Sequence, residues 1–131
     1  MQSTRTILVI DDDAALADLV VEVLTDEGYI ADAVSDGLAA LAMIARQPPA
    51  LIVLDMRMPD MSGAELIAYL CGAGLAAIPI VLLTASPPDA APLLVPGAIE
   101  CLTKPFDIDD LLACVARFVQ PAPAVAKTPV H

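Results

Sequence analysis

Short apolar runs alternate with amphipathic helical patterns along most of the chain. The apolar runs predict strands at about 6–10, 29–34, 51–54, 80–83 and 98–102. Apolar residues at helical spacing predict helices over about 14–27, from about 36, over 63–71 and from about 107. Gly28 is expected to end the first of these helices, and Ser62 to cap the third. Strands that alternate with helices in this way indicate βαβ units and a parallel sheet covered on both faces.

The connection between the fourth and fifth apolar runs departs from this pattern. Residues 86–97 contain prolines at positions 87, 88, 92 and 96. Because a proline inside a helix removes a hydrogen bond and costs about 3 kcal/mol, at most one helical turn fits, near 89–94. We therefore expect a mainly irregular segment where a fourth helix would otherwise stand.

Length and composition limit the class of protein. The 131 residues predict one domain over 1–120, followed by a Pro/Ala-rich segment over 121–131 that we expect to be a flexible tail or the start of a linker. No apolar stretch approaches the ~18 residues that span a bilayer, and the first residues lack a signal-peptide pattern. These features predict a cytoplasmic protein without a membrane segment. With a net charge of −11, we expect no direct binding of nucleic acid by this chain.

The cysteines and the single histidine do not predict a metal site. Cys71, Cys101 and Cys114 lack the spacing of metal ligands, and we predict that all three are small buried side chains. His131 is the last residue, and no role is assigned to it.

Polar residues stand at or just after the ends of the predicted strands. They are Asp11, Asp12, Asp55, Thr84 and Lys104. Since the carboxyl ends of parallel strands form the ligand crevice of an open α/β sheet, we expect these side chains to converge. Carboxylates, a hydroxyl and an ammonium are the groups that a divalent cation and a phosphoryl group require. The pattern therefore predicts a phosphate-handling site.

The acidic residues of this set allow a functional and a structural interpretation. Asp55, at the end of a buried strand, can form an acyl phosphate as a nucleophile, or it can cap a loop. The adjacent Asp11 and Asp12 repel each other unless a cation such as Mg²⁺ binds, and either Asp12 or Asp13 can cap the first helix. Capping alone does not require two acids.

Thr84 and Lys104 are also ambiguous when each is taken alone. Thr84 can be an ordinary strand threonine, and Lys104 a solvated surface lysine. Lys104 precedes Pro105 and so lies in a constrained backbone, where a cis peptide bond is affordable. A lysine fixed beside a phosphoryl group offsets the negative charge that develops there.

Taken together, several motifs resemble the receiver domain of two-component response regulators. The matching segments are Ile-Leu-Val-Ile-Asp-Asp-Asp (7–13), Leu-Ile-Val-Leu-Asp-Met-Arg-Met-Pro-Asp-Met-Ser-Gly (51–63), Leu-Leu-Thr-Ala (82–85) and Leu-Thr-Lys-Pro-Phe (102–106). Their order and spacing cover about residues 5–119. The resemblance implies an α/β fold of the flavodoxin-like (βα)5 type. Its doubly wound parallel sheet would have the order 2-1-3-4-5, with the fourth helix short or replaced by the proline-rich loop.

The resemblance also implies a metal-dependent phosphoacceptor. Asp55 matches the phosphorylated residue of the family. Asp11 and Asp12 match the acidic pair that binds Mg²⁺ together with Asp55, and the main-chain carbonyl of Arg57 is the further ligand that the family pattern implies.

The remaining site residues complete the implied switch. Thr84 matches the hydroxyl that contacts the phosphoryl group, and Lys104 matches the lysine that pairs with its oxygens. The implied reaction transfers a phosphoryl group to Asp55 from a sensor histidine kinase or a histidine phosphotransfer protein. Autodephosphorylation would reset the switch, and no metabolic reaction is implied.

Two features depart from the family pattern. Cys101 stands where members usually carry Tyr or Phe, three residues before the lysine, and the proline-rich segment 86–97 replaces the fourth helix. Both lie on the face that many members use for dimerisation and output. We expect the phosphorylation chemistry to be intact and the readout to be altered, through an order–disorder response of 86–97. A homodimer and a downstream protein partner are both open as outputs.

Two other classes of protein compete with the switch. One is an interaction module that keeps the receiver fold but works without phosphorylation, which Cys101 and the proline-rich segment favour. The other is a phosphoaspartate hydrolase of the haloacid dehalogenase type. That family needs a second acid two residues after the nucleophile, where this chain has Arg57.

Overall fold

Five parallel strands form one sheet in the part of the chain that the computed structural model describes, namely residues 6–56, 58, 60–75, 77–85 and 99–119. The strands are β1 (Thr6–Ile10), β2 (Ile30–Val34), β3 (Leu51–Asp55), β4 (Ile80–Thr84) and β5 (Ile99–Thr103). Their order is β2-β1-β3-β4-β5, and every neighbouring pair is parallel. The predicted fold class and strand order are therefore confirmed.

Helices connect these strands and pack on both faces of the sheet. They are α1 (Ala14–Asp26), α2 (Gly37–Arg46), α3 (Gly63–Gly72) and α4 (Ile108–Ala116). The proline-rich segment 86–97 and the tail 121–131 lie outside the described residues. Among the helices described, none is both long and apolar enough to cross a membrane.

The helix ends follow the local sequence signals. The Asp13 side chain accepts a hydrogen bond from the Leu16 backbone N–H at 3.1 Å, so Asp13 caps α1. Gly28, just beyond α1, has φ 98°, a left-handed conformation that glycine adopts without strain. Ser62 and Glu65 form a reciprocal capping box at the start of α3. The predicted roles of Gly28 and Ser62 are confirmed.

The central strands bury both of their faces, which explains why their sequences are continuous apolar runs. One face of the sheet forms a core with α1 and α4, in which Val9 and Val53 are 1% and 0% exposed. The opposite face forms a core with α2 and α3, in which Ile10 and Leu54 are fully buried. Because helices pack against both faces of β1 and β3, the backbone at the carboxyl ends of these strands is fixed in place.

A long-range hydrogen bond connects the region after α4 to the start of β2. The buried Tyr29 hydroxyl donates to the Val119 carbonyl oxygen at 3.1 Å.

We expect Tyr29→Phe to lower the free energy of unfolding by about 1 kcal/mol, because the buried carbonyl loses its partner. Urea unfolding checks this, with Tyr69→Phe as the control, since Tyr69 is 61% exposed. Equal losses for the two variants would contradict the expectation.

Candidate functional site

An open cleft lies at the carboxyl ends of the central strands. The predicted site residues that the structure describes all line it: Asp11, Asp12, Asp55, Thr84 and Lys104. Asp11 directly follows β1, Asp55 and Thr84 are the last residues of β3 and β4, and Lys104 directly follows β5. Residue Arg57, whose main-chain carbonyl was predicted as a ligand, lies outside the described residues. The topology of the sheet thus brings together groups that are far apart in the sequence.

Three carboxylates form a compact cluster in the cleft. One oxygen from each of Asp11, Asp12 and Asp55 lies within 4.8 Å of the others. Asp11 and Asp55 are 1% and 7% exposed, whereas Asp12 is exposed to solvent. Such close negative charges repel one another, so the cluster favours the binding of a cation.

Lys104 supplies positive charge on one side of this cluster. Its Nζ lies 3.2 Å from Asp55 Oδ1 and 3.6 Å from Asp11 Oδ2. The backbone N–H of Lys104 donates to the Thr84 carbonyl oxygen at 2.7 Å, which places the lysine beside the end of β4. The Lys104–Pro105 peptide bond is cis. A single ammonium group therefore faces two buried carboxylates.

The Asp11 carboxylate is incompletely compensated. Its Oδ1 accepts a hydrogen bond from the Asp13 backbone N–H at 2.9 Å, but its buried Oδ2 has no hydrogen-bond partner among the described residues. Burial is the main cause that raises the pKa of Asp11, and the negative charges of Asp55 and Asp12 add to it. The Asp13 N–H and Lys104 oppose this rise in pKa.

The donor set of the cluster fits Mg²⁺. This ion prefers oxygen ligands and commonly uses one or two carboxylates, together with water and phosphate oxygens. The Asp11 Oδ2, which accepts no hydrogen bond among the described residues, and the neighbouring carboxylate oxygens of Asp12 and Asp55 are ligands of that kind. A cation here would satisfy the buried oxygen and offset the repulsion between the carboxylates.

The loop between β3 and α3 contains a contact that the sequence did not reveal. Both carboxylate oxygens of Asp60 lie 3.1 Å from the Gly37 backbone nitrogen, and Oδ2 lies 3.2 Å from the Leu38 nitrogen. The Gly37 N–H is the main cause that lowers the pKa of Asp60, so its carboxylate is charged at neutral pH. The two residues are 23 positions apart, so a local sequence pattern cannot predict their contact.

The cysteines differ in their surroundings. Cys114 is buried, and its thiol donates to Glu100 Oε1 at 3.1 Å. Burial is the main cause that raises the pKa of Cys114 to about 12, so this thiol is protonated at neutral pH. Cys101 is half-buried beside the α2–α3 core. The prediction of burial was wrong for Cys71, which is exposed on α3, next to the buried Leu70 that faces the core.

The fold and the cleft define a doubly wound, flavodoxin-like α/β protein with an acidic site at the strand ends. The family model of the response regulator receiver domain matches residues 7–116. The chain therefore belongs to the receiver domain family of two-component signalling proteins.

Curated relatives and solved structures agree with this assignment. The chain is 37% identical over 109 residues to the probable transcriptional regulatory protein TcrX of Mycobacterium tuberculosis, covering 82% of this chain and 46% of the relative. It is 40% identical over 109 residues to the response regulator MprA of the same species, covering 82% of this chain and 47% of MprA. The chain thus spans about half the length of these relatives.

Two solved structures illustrate the structural likeness. The receiver domain of the Francisella response regulator 1452 has a TM-score of 0.80 and 30% identity, covering 87% of this chain and 95% of that one. The chemotaxis response regulator CheY4 of Vibrio cholerae has a TM-score of 0.79 and 30% identity, covering 89% of this chain and 100% of that one.

Proposed function

We propose that this chain is a phosphorylation-dependent signalling switch that accepts a phosphoryl group on Asp55 in a Mg²⁺-dependent reaction. The main support for the proposal is the environment of the Asp55 side chain. Its carboxylate ends a buried strand, lies 3.2 Å from Lys104 Nζ, and belongs to a cluster with Asp11 and Asp12. A nucleophile, a fixed cation and ligands for a metal ion therefore share one cleft.

The residues of the cleft divide the chemistry among them. An oxygen of Asp55 attacks the phosphorus atom, and the bond between phosphorus and the donor's histidine nitrogen breaks. Lys104 offsets negative charge on the phosphoryl oxygens, and the Thr84 hydroxyl contacts them. Asp11, Asp12, Asp55 and the main-chain carbonyl of Arg57 would hold Mg²⁺. When bound, the ion would offset the negative charge that gathers in the cleft during transfer.

Membership of the family supports a proposal for the phosphoryl donor, and the net charge supports one for the output. A sensor histidine kinase or a histidine phosphotransfer protein is the proposed phosphoryl donor, and the cytoplasm is the proposed compartment. The relatives TcrX and MprA are named as regulators, and both are about twice as long as this chain. With a net charge of −11, this chain is proposed to act through a protein partner or a second copy, without touching nucleic acid itself.

Intact mass measurement tests the proposal. The protein is incubated with Mg²⁺ and a small acyl-phosphate donor, and in parallel with the same donor and EDTA. We expect one phosphoryl adduct per chain that EDTA prevents. If neither the small donor nor a cognate kinase labels the protein, the switch is excluded.

Cys101 favours one alternative, a receiver-fold interaction module that works without phosphorylation. The Cys101 side chain is small and packs beside the α2–α3 core, opposite Leu82 of β4. It has no aromatic ring whose rotation could signal a movement of Thr84. The same mass measurement distinguishes the two functions, since a module of this kind would form no adduct.

A further inference from the structure

We infer that Asp60 is a positioning residue of the Asp55 site, because it fastens the loop that follows β3 to the N-terminus of α2. This inference rests on the proposed function and adds a residue to which no role in the phosphoryl chemistry has been assigned above.

The first step is the hydrogen bonding of the Asp60 carboxylate. It accepts from the Gly37 N–H at 3.1 Å and from the Leu38 N–H at 3.2 Å. These N–H groups belong to the first turn of α2, where backbone donors lack partners within the helix. The negative charge also complements the positive end of the helix dipole. Charge-assisted hydrogen bonds therefore hold Asp60 against the start of α2, although the two lie far apart in the sequence.

The second step is the close packing of the same loop against α2. A Cβ atom at Gly37 would lie 2.8 Å from Met61 Cβ and 3.0 Å from Met61 Sδ. No methyl group fits there unless the loop moves. Asp60 by hydrogen bonds and Met61 by contact thus fix the same stretch of loop against the start of α2.

The third step connects this stretch to the cleft. Where the loop meets α3, the Gly63 N–H donates to the carbonyl oxygen of Met56, the first residue of the loop, at 3.0 Å. A Cβ atom at Gly63 would lie 3.2 Å from Met56 Cα, so the two ends of the loop touch. Met56 follows Asp55 directly and lines the cleft. A shift of the loop at Asp60 would therefore reach the backbone beside the phosphoacceptor.

Asp36 provides a matched control, because it caps the same helix from outside the loop. Its side chain accepts from the Ala39 N–H at 2.7 Å in the first turn of α2. Asp36→Ala and Asp60→Ala each remove an acid and its bonds to the start of α2. Only the second variant releases the loop after β3. If Asp60 served α2 alone, the two variants would behave alike.

The experiment compares the wild type with Asp60→Ala, Asp60→Asn and Asp36→Ala. Mg²⁺ affinity is measured by calorimetric titration, adduct formation by intact mass with an acyl-phosphate donor, and stability by urea unfolding. We expect Asp60→Ala to lower Mg²⁺ affinity and the rate of adduct formation about tenfold, as is typical when a support of a metal site is lost. Asp60→Asn keeps an oxygen acceptor for Gly37 and should recover most of the loss. Asp36→Ala should lose stability but keep the affinity and the rate of the wild type.

The outcomes separate the inference from the proposed function. Wild-type affinity and rate in Asp60→Ala would overturn the inference, and so would equal losses in Asp36→Ala. A wild type that neither the acyl-phosphate donor nor a cognate kinase labels would contradict the proposed function, while the Mg²⁺ titrations would still decide the role of Asp60. If Asp60→Ala does not fold, Gly37→Ala tests the same contact from the helix side by displacing Met61. Unchanged Mg²⁺ affinity in Gly37→Ala would then overturn the inference.

Discussion

Asp55→Asn is expected to abolish the phosphoryl adduct while leaving the fold intact. The amide has nearly the shape of the carboxylate but lacks the negative charge that makes Asp55 a nucleophile. Its oxygen can still accept a hydrogen bond from Lys104 Nζ, which lies 3.2 Å from Asp55 Oδ1 in the native protein. The substitution also removes one of the mutually repelling charges in the cluster. We therefore expect adduct formation to fall by at least about a thousandfold, as when a nucleophile is removed, without loss of stability.

Intact mass under identical Mg²⁺ and donor concentrations measures this loss, and urea unfolding checks the fold. Asp13→Asn is the matched control, because Asp13 lines the same cleft but lies outside the cluster of three carboxylates. It removes the same charge and should retain the adduct. An adduct of unchanged yield in Asp55→Asn would place the phosphoacceptor elsewhere. Loss of the adduct in both variants would assign the effect to the charge of the cleft.

The central strands β1, β3 and β4 could be predicted from the sequence because they are buried on both faces. Such strands appear as unbroken apolar runs, and β1 has the predicted bounds, Thr6–Ile10. The runs predicted at 51–54 and 80–83 ended one residue early, because Asp55 and Thr84 also belong to their strands. A polar residue at the end of a strand keeps its place in the backbone ladder, which hydrophobicity does not detect.

The gathering of the site residues could also be predicted, since parallel strands end at the same edge of the sheet. The tether between Asp60 and Gly37 could not, because it depends on how the loop after β3 lies against α2. The lack of a hydrogen bond to Asp11 Oδ2 among the described residues could not be predicted either. Whether a carboxylate oxygen has a hydrogen-bond partner depends on the positions of neighbouring atoms. The sequence pattern predicts only which strand or helix the residue follows.

Asp11→Asn is expected to change stability and metal binding in opposite directions. Asp11 is 1% exposed, its Oδ2 lacks a hydrogen-bond partner among the described residues, and Asp55 and Asp12 lie close by. A neutral amide removes the buried charge and can still accept the bond from the Asp13 N–H through Oδ1. We expect the metal-free variant to be more stable by about 1 kcal/mol, because burial and the charges of Asp55 and Asp12 disfavour the charged form of Asp11 in the folded state. Affinity for Mg²⁺ should fall at least about tenfold, because a buried carboxylate ligand is lost.

Urea unfolding in EDTA and in excess Mg²⁺ measures both effects. A ligand that binds only the folded state stabilises it in proportion to RT ln(1 + [L]/Kd), so Mg²⁺ should stabilise the wild type more than Asp11→Asn. Asp12→Asn is the control: its carboxylate is exposed, so this variant should lose Mg²⁺ affinity without a comparable gain in stability in EDTA. If Asp11→Asn were less stable than the wild type in EDTA, the ion pair with Lys104 at 3.6 Å would already compensate the buried charge. The acidic cluster would then need no cation to balance it.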